Sequence, residues 1–277
     1  MTRVIGVISG KGGVGKSTVA MNLALALKRF GKSVVLMDCN LSTPHLSYYL
    51  GTSDYNWTVN DVLNERKELN SALYNYNGIK YLPASVKFDD LLGVQMSRFK
   101  KVLLKVDKKT DFVILDAAPG LGKEALSIMD ACSEILFVTA PFVPMLGDVI
   151  RCKEVLGELG EKKMGIVLNM VTHNNYELKK EVVEKLVELP VMAEIPHDKE
   201  VLHSLVMRTP VIDYKPSSLA SINFMRLASL MTEQDYDVPL KVKLHKLATN
   251  IRNMLTPSSI SMPTKVEDVK KELLSNF

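Results

Sequence analysis

The chain has 277 residues, 47% hydrophobic and 24% charged, with 35 Lys and Arg against 31 Asp and Glu for a net charge of +4. Such a composition can bury a sizeable core and excludes a disordered chain, a collagen-like fibre and a disulfide-stapled miniprotein. Three scattered cysteines, Cys39, Cys132 and Cys152, form no C-x-x-C pair, which fits a reducing compartment and argues against a cysteine-held zinc or iron–sulfur centre.

In chain order, Met1-Thr2-Arg3 leads into an apolar run, Arg3–Ser9, with no signal-peptide layout, so a cytoplasmic location is expected. Val19, Leu23, Leu27 and Phe30 then lie on one helical stripe, with Gly31 as its stop. Ser33–Asp38 and Ile79–Ala84 read as strands, and Phe99, Val102, Leu103 and Val106 as a helical stripe. Asp111–Asp116, Glu134–Ala140 and Gly165–Val171 are further strands, followed by a helix through Val182, Val183, Leu186 and Val187. Val191–Ile195 is the last strand, and Ser217 to Met231 a closing helix. These short β-branched runs lack strict alternation, as strands buried on both faces do. Strand–helix alternation predicts a three-layer α/β fold, a mostly parallel sheet covered by helices on both faces. The longest apolar stretch, Ile135 to Ile150, is broken by Pro141, Pro144, Gly147 and Asp148. It does not read as a spanning helix, so any membrane contact is expected to be peripheral. A polar segment ending at Pro239 divides a domain over 1–231 from a helical appendage over 232–277.

The strongest chemical signal is Gly10-Lys11-Gly12-Gly13-Val14-Gly15-Lys16-Ser17-Thr18, a match to G-x-x-x-x-G-K-[ST] between a strand and a helix. Glycines let successive backbone N–H groups turn around a phosphate, and the helix N-terminus adds its positive end. Lys16 is expected at the β- and γ-phosphates, Ser17 on Mg²⁺ and Thr18 at the α-phosphate. Asp38 and Asp116 each end a strand and are the candidate carboxylates for the metal. Asp148, after the Pro141-Phe-Val-Pro-Met-Leu-Gly turn, is expected to cap a helix, with a partner-binding edge as the alternative. His45, His173, His197 and His203 show no metal spacing and are expected in surface or packing roles.

The second lysine of the loop, Lys11, makes it resemble the deviant Walker A motif of the MinD/ParA ATPases. Val35-Leu-Met-Asp-Cys-Asn40 resembles that family's first switch, Leu115-Asp-Ala-Ala-Pro-Gly-Leu121 its second, Gly165-Ile-Val-Leu-Asn-Met170 the strand whose Asn reads adenine, and Ala193-Glu-Ile-Pro-His-Asp198 the loop beside the base. The spacing is most like the MinD branch. The resemblance implies a P-loop NTPase fold with ATP and Mg²⁺ as cofactors. Gly10, Gly12, Gly13, Val14, Gly15, Lys16, Ser17, Thr18, Gly120, Asn169, Pro196 and Asp198 would line the nucleotide, and Ser17, Asp38 and Asp116 the metal. It also implies an ATP-held homodimer in which Lys11 crosses to the partner's nucleotide. Lys11, Lys16, Asp38 and position 40 would form the catalytic set.

One departure stands out. The family usually carries D-x-D on the first switch, and here the triplet is Asp38-Cys39-Asn40. An amide accepts a hydrogen bond from water but cannot take its proton. Slow hydrolysis is therefore expected, unless Asn40 only closes a loop and another group positions the water.

The appendage carries Leu240, Leu244, Leu247, Ile251, Met254 and Leu255 at helical spacing, with interleaved basic residues. Val266, Val269, Leu273, Leu274 and Phe277 follow similarly. Residues 238–277 hold seven Lys and Arg against three Asp and Glu. The segment 240–277 reads either as a peripheral anchor on anionic lipid at the inner face of the cell membrane or as helices packed on protein. An unidentified activating or cargo protein is implied by the resemblance. DNA ranks lower, for want of a strong basic cluster within 1–231.

Overall fold

The computed structural model describes residues 1–52 and 55–238. The strands are β1 (Arg3–Ile8), β2 (Val34–Cys39), β3 (Tyr74–Tyr76), β4 (Ile79–Leu82), β5 (Phe112–Ala117), β6 (Glu134–Thr139), β7 (Lys163–Val171) and β8 (Val191–Pro196). The helices are α1 (Lys16–Arg29), α2 (Leu46–Tyr49), α3 (Val59–Leu63), α4 (Leu69–Ala72), α5 (Phe99–Leu103), α6 (Lys123–Ala131), α7 (Val143–Glu158), α8 (Lys180–Val187), α9 (Lys199–Val206), α10 (Val211–Tyr214) and α11 (Leu219–Thr232). The strands form one sheet in the order β3-β4-β2-β5-β1-β6-β7-β8. Among the described residues only the β3–β4 pair is antiparallel.

All seven predicted strands are present, and β3 is an addition. Its turn, Asn77-Gly78, has φ of 45° and 85°. Two successive positive φ values make the tight hairpin turn that Asn-Gly favours. The Phe99–Val106 stripe forms a shorter helix than its spacing suggests: α5 stops at Leu103, and Leu104 is 85% exposed.

Alternate residues of the central strands enter two separate cores. Val113, Leu115, Ile135 and Phe137 pack with Val102 of α5, Ile128 of α6, Val149 of α7 and Val183 of α8. Phe112, Ile114, Leu136 and Val138 face α1, α10 and α11 through Leu23, Leu27, Ile212, Phe224 and Leu227. This is the three-layer arrangement expected of a parallel sheet with crossover helices. The helix α1 is buried along most of its length because it lies between the sheet and α11. Trimming a fully buried residue there, such as Leu23, costs about 2–5 kcal/mol.

Beyond α11 the chain stays on the core: Tyr236 meets Phe30 edge-on at 6.3 Å, and Val238 is buried against Ile222. The predicted amphipathic segments over 240–277 lie outside the described residues. Among the described residues no helix is long and apolar enough to cross a membrane. The strand β1 sits centrally, between β5 and β6. Its C-terminal end therefore opens at the crevice where doubly wound sheets place ligands.

Candidate functional site

The loop after β1 combines strained and open glycines. Gly13 and Gly15 have φ of +83° and +85°, a left-handed conformation that side chains disfavour. A Cβ on Gly12 or Gly13 would meet nothing within 4 Å, so the loop faces open space where a phosphate fits. A Cβ on Gly15 would fall 2.2 Å from Asn169 Nδ2. Asn169, near the end of β7 and 6% exposed, donates from Nδ2 to the Val14 carbonyl at 2.8 Å. The Asn169 side chain thus braces the nucleotide loop, a contact that the expectation of adenine reading did not include. Gly120 closes the other side: its N–H donates to the Ser9 carbonyl at 2.8 Å.

The two lysines of the loop have different surroundings. Lys16 is buried, with Nζ 2.6 Å from Asp116 Oδ1, and the two side chains are 7% and 1% exposed. Removing one partner of such a pair leaves an uncompensated buried charge. Lys11 points outward, with Nζ 3.3 Å from Asp148 Oδ2 and side-chain exposures of 51% and 28%. That contact lacks hydrogen-bond alignment, and half-exposed pairs of this kind are worth at most about 1 kcal/mol. Lys16 is fixed in its own site, while Lys11 is held by a single half-exposed contact.

Asp148 does not cap its helix as expected. The helix α7 begins at Val143, with Pro144 in its first turn, so Asp148 lies inside the helix, past its first turn. There it packs so closely on the loop that a Cβ on Gly10 would come 2.2 Å from the Asp148 Cβ.

Asp38 and Asp116 face each other across β2 and β5 in register. Asp38 is fully buried and accepts the Asn40 and Leu46 N–H groups at 3.2 Å each. Burial, and then the charge of Asp116, push its carboxyl up to about 8 despite those bonds and Lys16. Asp116 Oδ2 is buried without a hydrogen-bond partner. Two close carboxylates, one with an orphaned oxygen, fit a hard divalent cation, and Ser17, next in sequence to Lys16, is half-buried. Mg²⁺ takes few protein ligands and completes its shell with phosphate and water. The residues present therefore fit both Mg²⁺ and a triphosphate: Asp38, Asp116 and Ser17 would hold the cation, and the loop and Lys16 the phosphates.

Asn40 is 5% exposed and engaged at both ends of its amide. Its Nδ2 donates to the Thr43 carbonyl at 2.7 Å, and its Oδ1 accepts from Thr43 Oγ1 at 3.2 Å. On the base side, Pro196 ends β8, and Asp198 caps α9 by accepting the Glu200 N–H at 2.9 Å. Its second oxygen accepts the Ala220 N–H at 3.2 Å, tying α9 to α11. Thr18 lies in the first turn of α1 and is 7% exposed. Sequence reasoning missed Met170, which has φ of 59° at an irregularity in β7. Its Cε comes 3.6 Å from where a Gly15 Cβ would stand, and no residue type in the sequence signals that backbone.

The three cysteines are buried and free. Burial pushes the Cys39 thiol well up and the Cys152 thiol up to about 11.

A sequence model of the ParA family, described as NUBPL iron-transfer P-loop NTPase, matches residues 1–232. An uncharacterised ATP-binding protein of Methanocaldococcus jannaschii is 31% identical over 229 residues, covering 82% of this chain and 87% of that protein. The chain belongs to the ParA/MinD family of P-loop NTPases. Within the family its likeness is to MinD. The cell division ATPase MinD of Pyrococcus furiosus superposes with a TM-score of 0.80 at 32% identity, covering 84% of this chain and 99% of that one. The septum site-determining protein MinD of Pyrococcus horikoshii, solved with Mg-ADP, gives 0.80 at 31% identity over 83% and 96%. P-loop NTPases hold a nucleoside triphosphate with Mg²⁺, as the cradle around Lys16 and Asp116 is built to do.

Proposed function

We propose that this chain is an ATP-dependent dimerising switch of the MinD kind, which positions a cellular component at a membrane surface. The observation that carries the reading is Lys11. It sits on the nucleotide loop yet points away from its own site, half exposed and loosely held by Asp148. A lysine so placed is free to reach the phosphates of a second copy. Such a contact depends on the γ-phosphate, so hydrolysis releases the dimer.

In this reading Lys16 binds the β- and γ-phosphates, Ser17, Asp38 and Asp116 hold Mg²⁺, Thr18 meets the α-phosphate, and Asn169, Pro196 and Asp198 flank the base. Turnover is slow because the Asn40 amide cannot take a proton and is already tied to Thr43. The amphipathic pattern over 240–277 supplies a weak membrane anchor that dimerisation doubles.

The test is pelleting with anionic liposomes in Mg-ATP or Mg-ADP, comparing the full chain with one ending at Val238. Pelleting in ATP that the truncation abolishes supports the reading. No pelleting in either nucleotide removes the membrane from it and turns the search to DNA and protein partners.

A further inference from the structure

The first switch lacks a carboxylate at Asn40, and the structure brings another to the same loop. Glu124, in the first turn of α6, accepts a hydrogen bond from Ser42 Oγ at 2.5 Å through Oε1. Its second oxygen, Oε2, is buried with no hydrogen-bond partner among the described residues. An orphaned buried acceptor of this kind is costly to leave unpaired, more so when charged. It is poised for a donor that arrives with the ligand.

The location suits one donor in particular. Ser42 lies two residues past Asn40, on the loop that starts at Asp38. Asp38 and Asp116 are register partners, and Lys16 on Asp116 marks the phosphate end. Gly120 is pinned to Ser9 at the base of the nucleotide loop, and Glu124 follows four residues later, at the start of α6. The Ser42–Glu124 bond thus spans the gap between the two switch loops. In-line displacement places the attacking water on the side of the γ-phosphate away from the leaving ADP, which is the side these loops enclose.

We infer that Glu124 is the water-positioning carboxylate of this chain, acting where the first switch offers only Asn40. The inference rests on the ATPase reading above. The water oxygen bonds to the γ-phosphorus. The bond from that phosphorus to the β,γ-bridging oxygen breaks, with its electron pair leaving on ADP. The water proton passes to Glu124 Oε2 and on to the released phosphate.

Glu124→Gln separates this role from a structural one, because a glutamine carbonyl still accepts the Ser42 hydrogen bond. Single-turnover hydrolysis and calorimetric binding of Mg-ADP, with and without aluminium fluoride, are measured for wild type, Glu124→Gln, Asn40→Asp and the double variant. The expected result is a drop in turnover of about 10²-fold in Glu124→Gln. Tighter binding with aluminium fluoride is lost as well, while Mg-ADP affinity is unchanged. Adding Asn40→Asp restores both turnover and the tighter binding. Wild-type turnover and analogue affinity in Glu124→Gln overturn the inference alone. A loss that Asn40→Asp does not restore overturns it too. A wild-type chain that hydrolyses no ATP overturns it together with the ATPase reading.

Discussion

The nucleotide loop and the first switch loop border the same site and are built on different principles. The loop over 10–18 binds through backbone: left-handed glycines, a helix N-terminus and one buried lysine held by Asp116. The loop over 38–46 works through side chains: Asn40 to Thr43, the Asn40 and Leu46 N–H groups to Asp38, and Ser42 to Glu124 of α6. A backbone cradle is least tolerant of substitution at its left-handed glycines, Gly13 and Gly15. A side-chain loop can lose one carboxylate and keep its shape. Binding and turnover are therefore separable in this chain.

The largest effect that would break the comparison is on the nucleotide loop. Lys16→Ala leaves Asp116 buried without its partner. The expected result is loss of nucleotide binding by calorimetry and a stability loss of about 3–5 kcal/mol by denaturant unfolding. Retained Mg-ATP binding would show that the backbone alone suffices.

Next in size is Asn40→Asp, which adds the missing carboxylate without touching the cradle. Its turnover should rise at least about tenfold, with Mg-ATP affinity unchanged. An unchanged rate would place rate control outside the first switch.

Asp148→Ala acts through Lys11 and should be smaller. Freeing the lysine from a half-exposed contact is worth at most about 1 kcal/mol. Dimerisation should then need up to about fivefold less ATP, read by light scattering across a titration. A higher ATP requirement would mean that Asp148 helps the dimer rather than restraining Lys11.

A different readout, stability against pH, sharpens the picture of the metal pocket. Asp38 titrates at about 8 in the folded chain against 3.8 ordinarily. Between these values the folded state keeps a proton that the unfolded state has released. Nucleotide-free stability therefore falls as pH rises from about 4 to about 8, and levels off above. Thermal unfolding of wild type and Asp38→Asn at pH 5 and pH 8 checks the sign: the decline should be larger in wild type.

Much of this was legible in the sequence. Nine contiguous residues, Gly10 to Thr18, encode the cradle because phosphate chemistry is local there. The parallel sheet follows from strands buried on both faces. The short edge strand β3 escaped although Asn77-Gly78 announces its turn, because Tyr74–Tyr76 offers too few residues to show a period. Asp148 was misread for a different reason. Its role depends on where α7 begins and on how closely that helix approaches Gly10, a contact between distant segments. The Ser42–Glu124 bond likewise joins loops that only the β2–β5 pairing brings together.

The central claim is that Lys11 joins two copies around ATP. It is tested most directly by multi-angle light scattering of the full chain and of Lys11→Ala, each in Mg-ATP and Mg-ADP. The account predicts a dimer for wild type in ATP, a monomer in ADP, and a monomer for Lys11→Ala in both, with nucleotide affinity retained. A Lys11→Ala chain that still dimerises in ATP would contradict it.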